Sequence, residues 1–319
     1  MTKQTYHLAF VFPGQGSQSV GMLTALAASY PEVKQIFERA SEALDKNLWS
    51  LVADGPEDEL NRTQNTQPAM LAAGYAVWRI WCGQSAIRPA WTAGHSLGEY
   101  TALVCSDALS FEDGIKLVAA RGLLMQESVP QGVGAMAAIL GLEDHDVIRI
   151  CADTEANSAG EVVAAVNFNA PGQVVIAGNT AAVEKAINAA KEAGAKRALL
   201  LPVSVPSHCA LMKPAAEELS NYLLGVDIKA PNTTLIHNVD VMAHGAPGVI
   251  RNALTEQLYQ PVRWVDTIKF MQAQGVTRFV ECGPGKVLTG LNKRIVKEAD
   301  HLAIFDPESI NKAMEQLND

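Results

Sequence analysis

The chain has 319 residues, with 34 acidic against 25 basic side chains and a formal net charge of −9. That balance argues against non-specific binding to nucleic acid or to an anionic membrane. With 48% hydrophobic and 18% charged residues, a disordered or fibrous chain is excluded, and the length suits one large domain with a second lobe inserted or appended.

Five scattered cysteines (Cys82, Cys105, Cys151, Cys209, Cys282) show no C-x-x-C spacing and no cluster with histidine. They read as reduced thiols of a cytoplasmic protein without a metal site. The opening residues reach Pro13-Gly14 too soon for a signal peptide, and no uncharged apolar run approaches the roughly 18 residues of a membrane span.

In chain order, "HLAFVF" at 7–12 is an apolar run without alternation, as in a central strand of a parallel sheet, and Pro13-Gly14 closes it. Helical patterns follow at 22–44, broken near Pro31, and at 67–84. A short strand at 91–94 leads into Gly94-His95-Ser96-Leu97-Gly98 and a helix from 97 to 108. The next helix starts behind Ser110 as N-cap. From Val133 to Val203 the order is strand (Val133–Leu140), helix (Glu143–Glu155), strand (Val162–Phe168), strand (Gln173–Ala177), helix (Thr180–Ala193), strand (Lys196–Val203). This βαββαβ order is that of a ferredoxin-like unit. The fold class expected is therefore α/β, with residues 1–130 and 205–319 forming a discontinuous catalytic domain around an inserted subdomain at 131–204. A strand at 233–239, helices near 249–258 and 264–274, a strand "RFVEC", a helix at 286–299, a strand "HLAIF" and a last helix complete the chain.

The chemistry centres on the G-x-S-x-G run. A strand ending at Gly94 and a helix starting near Leu97 would put Ser96 on a sharp turn above the sheet's carboxyl edge, with the Leu97 N–H beside it as an oxyanion donor. Such a serine needs a base. Of the five downstream histidines, His145 sits in a charged helix start, His244 in a Gly-rich loop, His301 at a strand start and His237 in an apolar setting. His208, in "LLLPVSVPSHCALM", lies in a loop stiffened by two prolines between a strand and a helix, where a general base belongs. No acid stands out as its orienting partner; Asp227 and Asp240 are the candidates. "FPGQGSQSVGM" lacks the third glycine of a dinucleotide fingerprint, because Ser19 stands there, and it has no P-loop lysine. It can instead bring the Gln15 amide to the oxyanion. Arg121, in the apolar "GIKLVAARGLLMQE", reads either as a structural or snorkelling arginine or as a clamp for a substrate carboxylate. Asn167 in "NFN" and Gln257 in "QLYQPVRW" carry weaker signals. At this level water and a thiol are both possible acyl acceptors, and a serine thioesterase or esterase of α/β-hydrolase type shares Ser96 and His208. A non-catalytic acyl-binding module would have no use for an intact elbow.

Taken together, "FPGQGSQSVGM", "GHSLGEY", "AARG", "NFNAPGQVVIAG", "VSVPSHCALMKPA", "QLYQPVRW" and "GPGKVLTGL" resemble, in order and spacing, the malonyl-CoA:acyl-carrier-protein transacylases of fatty acid synthesis. The resemblance implies an α/β-hydrolase-like large domain with a ferredoxin-like insert and a cleft between them. It implies Ser96 as nucleophile and His208 as base, oriented by a main-chain carbonyl near Gln257. Gln15 and the Leu97 N–H would form the oxyanion hole, and Arg121, helped by His95, would bind the malonyl carboxylate, with Asn167 and Gln257 also at the substrate. Malonyl-CoA and the phosphopantetheine arm of acyl carrier protein would be the substrates, with no cofactor or metal, and neither nucleic acid nor membrane as partner. Ser207, just before the base, bears on whether methylmalonyl groups are excluded. Because carrier protein is acidic, docking would need a basic face. Lys286, Lys293, Arg294 and Lys297, at i, i+7, i+8 and i+11, offer one on a single helix side.

Overall fold

The computed structural model describes residues 3–130, 132–203 and 205–318. The boundary positions 131 and 204 of the expected insert, and the chain ends at 1, 2 and 319, lie outside the described residues.

Among the described residues nine strands form two sheets: β1 (Lys3–Phe12), β2 (Ile87–Gly94), β3 (Gly134–Leu140), β4 (Val163–Ala170), β5 (Gln173–Asn179), β6 (Arg197–Leu200), β7 (Thr234–Ile236), β8 (Arg278–Cys282) and β9 (Asp300–Ile304). The larger sheet has the order β7-β2-β1-β8-β9, every pair parallel. β1 is central, and Leu8 to Phe12 are fully buried, which is why that stretch reads as continuous apolar sequence. Phe10 packs against Trp78 and Trp81 of the helix Thr63–Gln84, with ring centroids 5.5 and 5.4 Å away.

In register, Phe12 stands opposite Gly94 and Ala93 opposite Ile236. The carboxyl ends of β1, β2 and β7 therefore share one edge, and the loops that leave it begin at Pro13, His95 and His237. In an open parallel sheet that edge is where ligands bind.

The second sheet is antiparallel, with order β4-β5-β3-β6. The helices Asp144–Ala156 and Thr180–Glu192 pack on it over a separate apolar core that includes Ile139, Val147, Val174 and Val183. β4 also bridges to the large unit: Phe168 N–H donates to the Val262 carbonyl and Val262 N–H to that of Val166, at 3.0 and 2.8 Å.

Several sequence expectations are corrected. The helix after the elbow ends at Cys105, not 108, since Asp107 takes a positive φ of 56°. β6 stops at Leu200, just ahead of Pro202, which has no N–H for a ladder. Two short helices, Leu48–Asp54 and Glu57–Leu60, were not foreseen; packing of Leu48, Leu51, Val52 and Leu60 holds them rather than any strong local pattern. The expected helix 286–299 spans only Val287–Ile295, because Val296 leaves helical geometry at φ −133°, ψ 88°. Lys286 is thus its N-cap and Lys297 lies beyond its end, so the four basic residues do not share one helical face. Arg294 is moreover committed to the β4–β5 turn, donating to the Gln173 side chain and to the Pro171 carbonyl. Among the described residues no helix is long and apolar enough to cross a membrane.

Candidate active site

β2 runs into the helix Leu97–Cys105 through Ser96, whose φ of 51° and ψ of −109° form a strained turn. The flanking glycines are demanded by contact. A Cβ on Gly94 would meet the Gly98 carbonyl carbon at 1.9 Å, and one on Gly98 would meet the Phe12 carbonyl oxygen at 2.0 Å. Gly98→Ala is therefore expected to destabilise the fold by about 3 kcal/mol or more and to abolish Ser96 reactivity, read by thermal melting and active-serine labelling. Asn238, just past β7, clamps the turn: its Oδ1 accepts from Ser96 N–H at 2.7 Å and its Nδ2 donates to the Gly94 carbonyl at 2.7 Å.

Ser96 Oγ lies 2.8 Å from His208 Nε2, across 112 positions of sequence. His208 is 3% exposed, and its Nδ1 lies 2.6 Å from the main-chain carbonyl of Gln257. A carbonyl only accepts, so the proton sits on Nδ1 and Nε2 is left to receive the serine hydroxyl proton. Neither acid candidate is at this imidazole. Asp227 pairs with Lys229 at 3.4 Å and Asp240 with His244 at 2.6 Å. Of the other histidines, His145 lies 3.6 Å from Asp146 at the surface, His301 bonds the Val296 carbonyl, and His237 is buried against Glu99.

Burial, and then the nearby Arg121 charge, push the His208 imidazole from its ordinary 6.5 down to about 3, against the pull of the Gln257 carbonyl. A depressed pKa means that the ring stays neutral, and able to accept a proton, as pH falls through 6.5. Phosphonylation of Ser96 by an uncharged reagent should accordingly keep its rate well below pH 6.5. In Arg121→Ala the acid limb should move up toward 6.5, since the largest depressing influence after burial is gone.

Arg121, in the helix Phe111–Glu127, is 1% exposed. Its Nη1 donates to Gln67 Oε1 at 2.9 Å, and its Nη2 to Gln257 Oε1 at 2.9 Å and to Ser96 Oγ at 3.2 Å. The Tyr100 ring lies 5.2 Å from the guanidinium carbon. Among the described residues no carboxylate forms a salt bridge with it, and its Nε–H finds no acceptor. A buried cation held by neutral oxygens, one of its nitrogens 3.2 Å from Ser96 Oγ, is chemically suited to receive an anion.

One cleft joins these groups. Gln15, Thr63, Ser96, Leu97 and Arg121 line it from the large unit, and Met136, Asn167 and Leu201 from the small-sheet side. Its free space of about 120 Å³ has room for roughly four water-sized groups, the scale of a short acyl group. Gln15 is exposed, with its Nε2 3.5 Å from Thr63 Oγ1. The Leu97 N–H opens the helix beside Ser96, where a first helical N–H has no intrahelical acceptor, while the Gly98 and Glu99 N–H groups that follow donate to the His95 and Ser96 carbonyls at 2.9 and 3.1 Å. His95 lines the cleft with Nε2 2.8 Å from Asn169 Oδ1, and burial lowers its pKa. Asn167 Oδ1 is buried without a partner among the described residues. Lys286, Lys293, Arg294 and Lys297 are exposed and do not line this cleft.

Sequence reasoning passed over Gln67, Glu99 and Asn238, and from "NFN" at 167–169 it took Asn167 rather than Asn169, the residue that meets His95. Only Glu99 carried a signal of its own: an acid in the first turn of a helix that is otherwise apolar and fully buried.

The model of the acyl transferase domain family matches residues 9–307. The malonyl CoA-acyl carrier protein transacylase of Salmonella typhimurium is 54% identical, covering 97% of this chain and 99% of the relative; that of Bacillus subtilis is 47% identical, with 98% of each chain covered. Among solved structures, an acyl carrier protein S-malonyltransferase from Vibrio cholerae superposes with a TM-score of 0.93 at 57% identity, over 96% of this chain and 99% of that one. A malonyl-transacylase solved in complex with a type II PKS acyl-carrier protein gives 0.95 at 52%, over 97% and 99%. By match length, identity and coverage alike, the chain belongs to the acyl transferase domain family, among its malonyl CoA-acyl carrier protein transacylases.

Proposed function

We propose that the chain moves the malonyl group from malonyl-CoA to the phosphopantetheine thiol of acyl carrier protein, through a malonyl-serine at Ser96. The observation that carries this reading is Arg121: a buried guanidinium that forms no salt bridge with a carboxylate among the described residues, 3.2 Å from Ser96 Oγ. An uncharged acyl group would leave that cation unpaired, whereas the malonyl carboxylate neutralises it.

In the first half-reaction Ser96 Oγ–H gives its proton to His208 Nε2 as Oγ attacks the thioester carbon. The carbonyl π electrons move to oxygen, where the Leu97 N–H and Gln15 receive the charge. Collapse of this intermediate expels the CoA sulfur, which takes the proton back from His208 Nε2, and the malonyl ester remains on Ser96. The carrier-protein thiol then enters, gives its proton to the same nitrogen and attacks the ester carbon; collapse of the second tetrahedral intermediate expels Ser96 Oγ, which takes the proton back from His208 Nε2. The Gln257 carbonyl steadies the imidazolium at each stage. Arg121, with His95, holds the carboxylate; once that anion is bound, the guanidinium has a better acceptor than Ser96 Oγ. Asn167 and the Gln257 side chain complete the substrate wall. Both reacting groups come with the substrates, so no cofactor or metal enters.

For the architecture, we assign residues 1–130 and 205–319 to an α/β-hydrolase-like domain and 131–204 to a ferredoxin-like subdomain. The parallel sheet with its elbow supports the first, and the order β4-β5-β3-β6 under two helices the second. Five free cysteines fit a reducing cytoplasm.

For carrier-protein docking we retain the basic surface at Lys286, Lys293 and Lys297, with Arg294 fastening the two units. Lys286 lies against the Phe305 ring at 5.0 Å and shares a surface cavity with Lys293. Replacing Lys293 and Lys297 by glutamate should raise the KM for carrier protein about tenfold and leave that for malonyl-CoA unchanged. Equal rises in both would show that this surface is not where carrier protein docks.

Initial-rate kinetics test the reading as a whole. Varying malonyl-CoA at several carrier-protein concentrations should give parallel double-reciprocal lines, the pattern of ping-pong transfer. Release of free malonate at the same rate with and without carrier protein would make the chain a hydrolase instead.

A further inference from the structure

Glu99 stands three residues after the nucleophile and is fully buried. An ionised carboxylate in the interior is costly unless paired and hydrogen-bonded. Its Oε1 lies 2.7 Å from His237 Nδ1, and its Oε2 accepts from Asn238 N–H at 3.0 Å and from Gln257 Nε2 at 2.9 Å. All three partners are buried. Acyl transfer as derived above gives Glu99 no role.

We infer that Glu99, braced by His237, is a positioning residue: it decides which way round the Gln257 amide sits, and so keeps Arg121 aimed at the substrate carboxylate without occupying it. This rests on the malonyl-transfer reading of the site.

A primary amide has two ends of nearly equal shape and opposite hydrogen-bonding sense. One end of Gln257 faces Arg121 Nη2, and the other faces the Ser96 carbonyl at 3.0 Å and Glu99 Oε2. Arginine only donates, so it needs the oxygen. A main-chain carbonyl and a carboxylate only accept, so they need the nitrogen. A flipped amide would set NH₂ against the guanidinium and oxygen against two acceptors. Glu99 holds the donor end and thereby delivers the acceptor to Arg121.

The amide also stands between two charges. Glu99 would pair with Arg121 directly if they met, and the clamp would then be filled by the protein's own carboxylate. With Gln257 interposed, the guanidinium is oriented by a neutral oxygen and keeps its charge for a ligand. The same residue's main-chain carbonyl holds His208 Nδ1, so Glu99 acts through one side chain on both the clamp and the base.

His237 donates to Glu99 from Nδ1, while its Nε2 has no partner among the described residues. Its ring lies against His244 with centroids 5.1 Å apart, and His244 Nε2 is 2.6 Å from Asp240 Oδ2. Neither Glu99 nor His237 lines the cleft.

The test compares Glu99→Leu with Glu99→Gln. Glutamine can still offer an oxygen to Gln257 Nε2 and Asn238 N–H, and an NH₂ to His237 in its other tautomer. Glu99→Leu should raise the KM for malonyl-CoA about tenfold and cut the malonyl-over-acetyl preference in acyl-serine formation by about tenfold. Glu99→Gln should stay within about threefold of the parent on both. Labelling of Ser96 by an uncharged phosphonate shows that the elbow is intact. If Glu99→Leu lowers malonyl and acetyl rates equally and leaves their ratio unchanged, Glu99 is merely structural and the inference is overturned. Should Glu99→Leu not fold, Gln257→Glu decides: a carboxylate placed at Arg121 should abolish the malonyl preference, and an unchanged preference overturns the inference. Absence of malonyl transfer in the parent protein would instead overturn the reading of the site itself.

Discussion

Arg121→Ala should lose the preference for malonyl-CoA over acetyl-CoA, with kcat/KM for malonyl-CoA falling and that for acetyl-CoA holding or rising. A hydrogen-bonded ion pair in a dry site contributes about 1.5–3 kcal/mol more than its absence, which is roughly ten- to a hundredfold in selectivity. The surroundings of the guanidinium give this pair its weight. Arg121 is 1% exposed, its protein partners are the neutral oxygens of Gln67, Gln257 and Ser96, and burial already lowers its pKa. Acetyl-CoA would leave that desolvated charge uncompensated, whereas alanine removes the charge and the penalty together. The measurement is acylation of Ser96 by each donor, with the ratio as readout. A variant that keeps both its malonyl rate and its preference would show that the guanidinium is structural.

The second large effect is loss of the dyad. Ser96→Ala should form no acyl-enzyme and lose about 10⁴-fold or more in transfer, and His208→Ala should fall nearly as far. The double variant should be hardly worse than either single one, because each single change already removes the proton path between Oγ and Nε2. The reason is geometric: Oγ and Nε2 are 2.8 Å apart, and Nδ1 is fixed at 2.6 Å from a main-chain carbonyl. A hydroxyl without that base is a poor nucleophile at neutral pH. Additive losses would mean that Ser96 and His208 act in separate steps.

Much of this was legible in the sequence, and the limits have physical causes. The elbow could be read because its backbone angles restrict the local sequence: Gly94 and Gly98 cannot carry a Cβ, and Ser96 takes a positive φ. His208 could be read because prolines stiffen its loop. What orients His208 could not be found among Asp227 and Asp240, since the Gln257 group that faces it is a main-chain carbonyl, which every residue has. Gln67 and Gln257 are 54 and 136 positions from Arg121, and nothing local marks either amide as its partner.

The succession of strands and helices from 133 to 203 was legible, with the turn sequence "NAPG" marking the connection between β4 and β5. The helices Leu48–Asp54 and Glu57–Leu60 were not, because seven and four residues are too few to carry a periodic signal. The expected single helix across 286–299 was cut short for a related reason. The spacing of its basic residues is helical, but Val296 ends the helix before Lys297, and Arg294 turns to Gln173 and Pro171.

The central claim is that Ser96 carries malonyl between two thiols. Intact-protein mass spectrometry after mixing with malonyl-CoA tests it most directly. The parent protein should show one malonyl adduct, absent from Ser96→Ala, that persists in buffer and is discharged by a pantetheine thiol to the malonyl thioester. An adduct that survives in Ser96→Ala, or one that decays to free malonate before any thiol is added, would contradict the account.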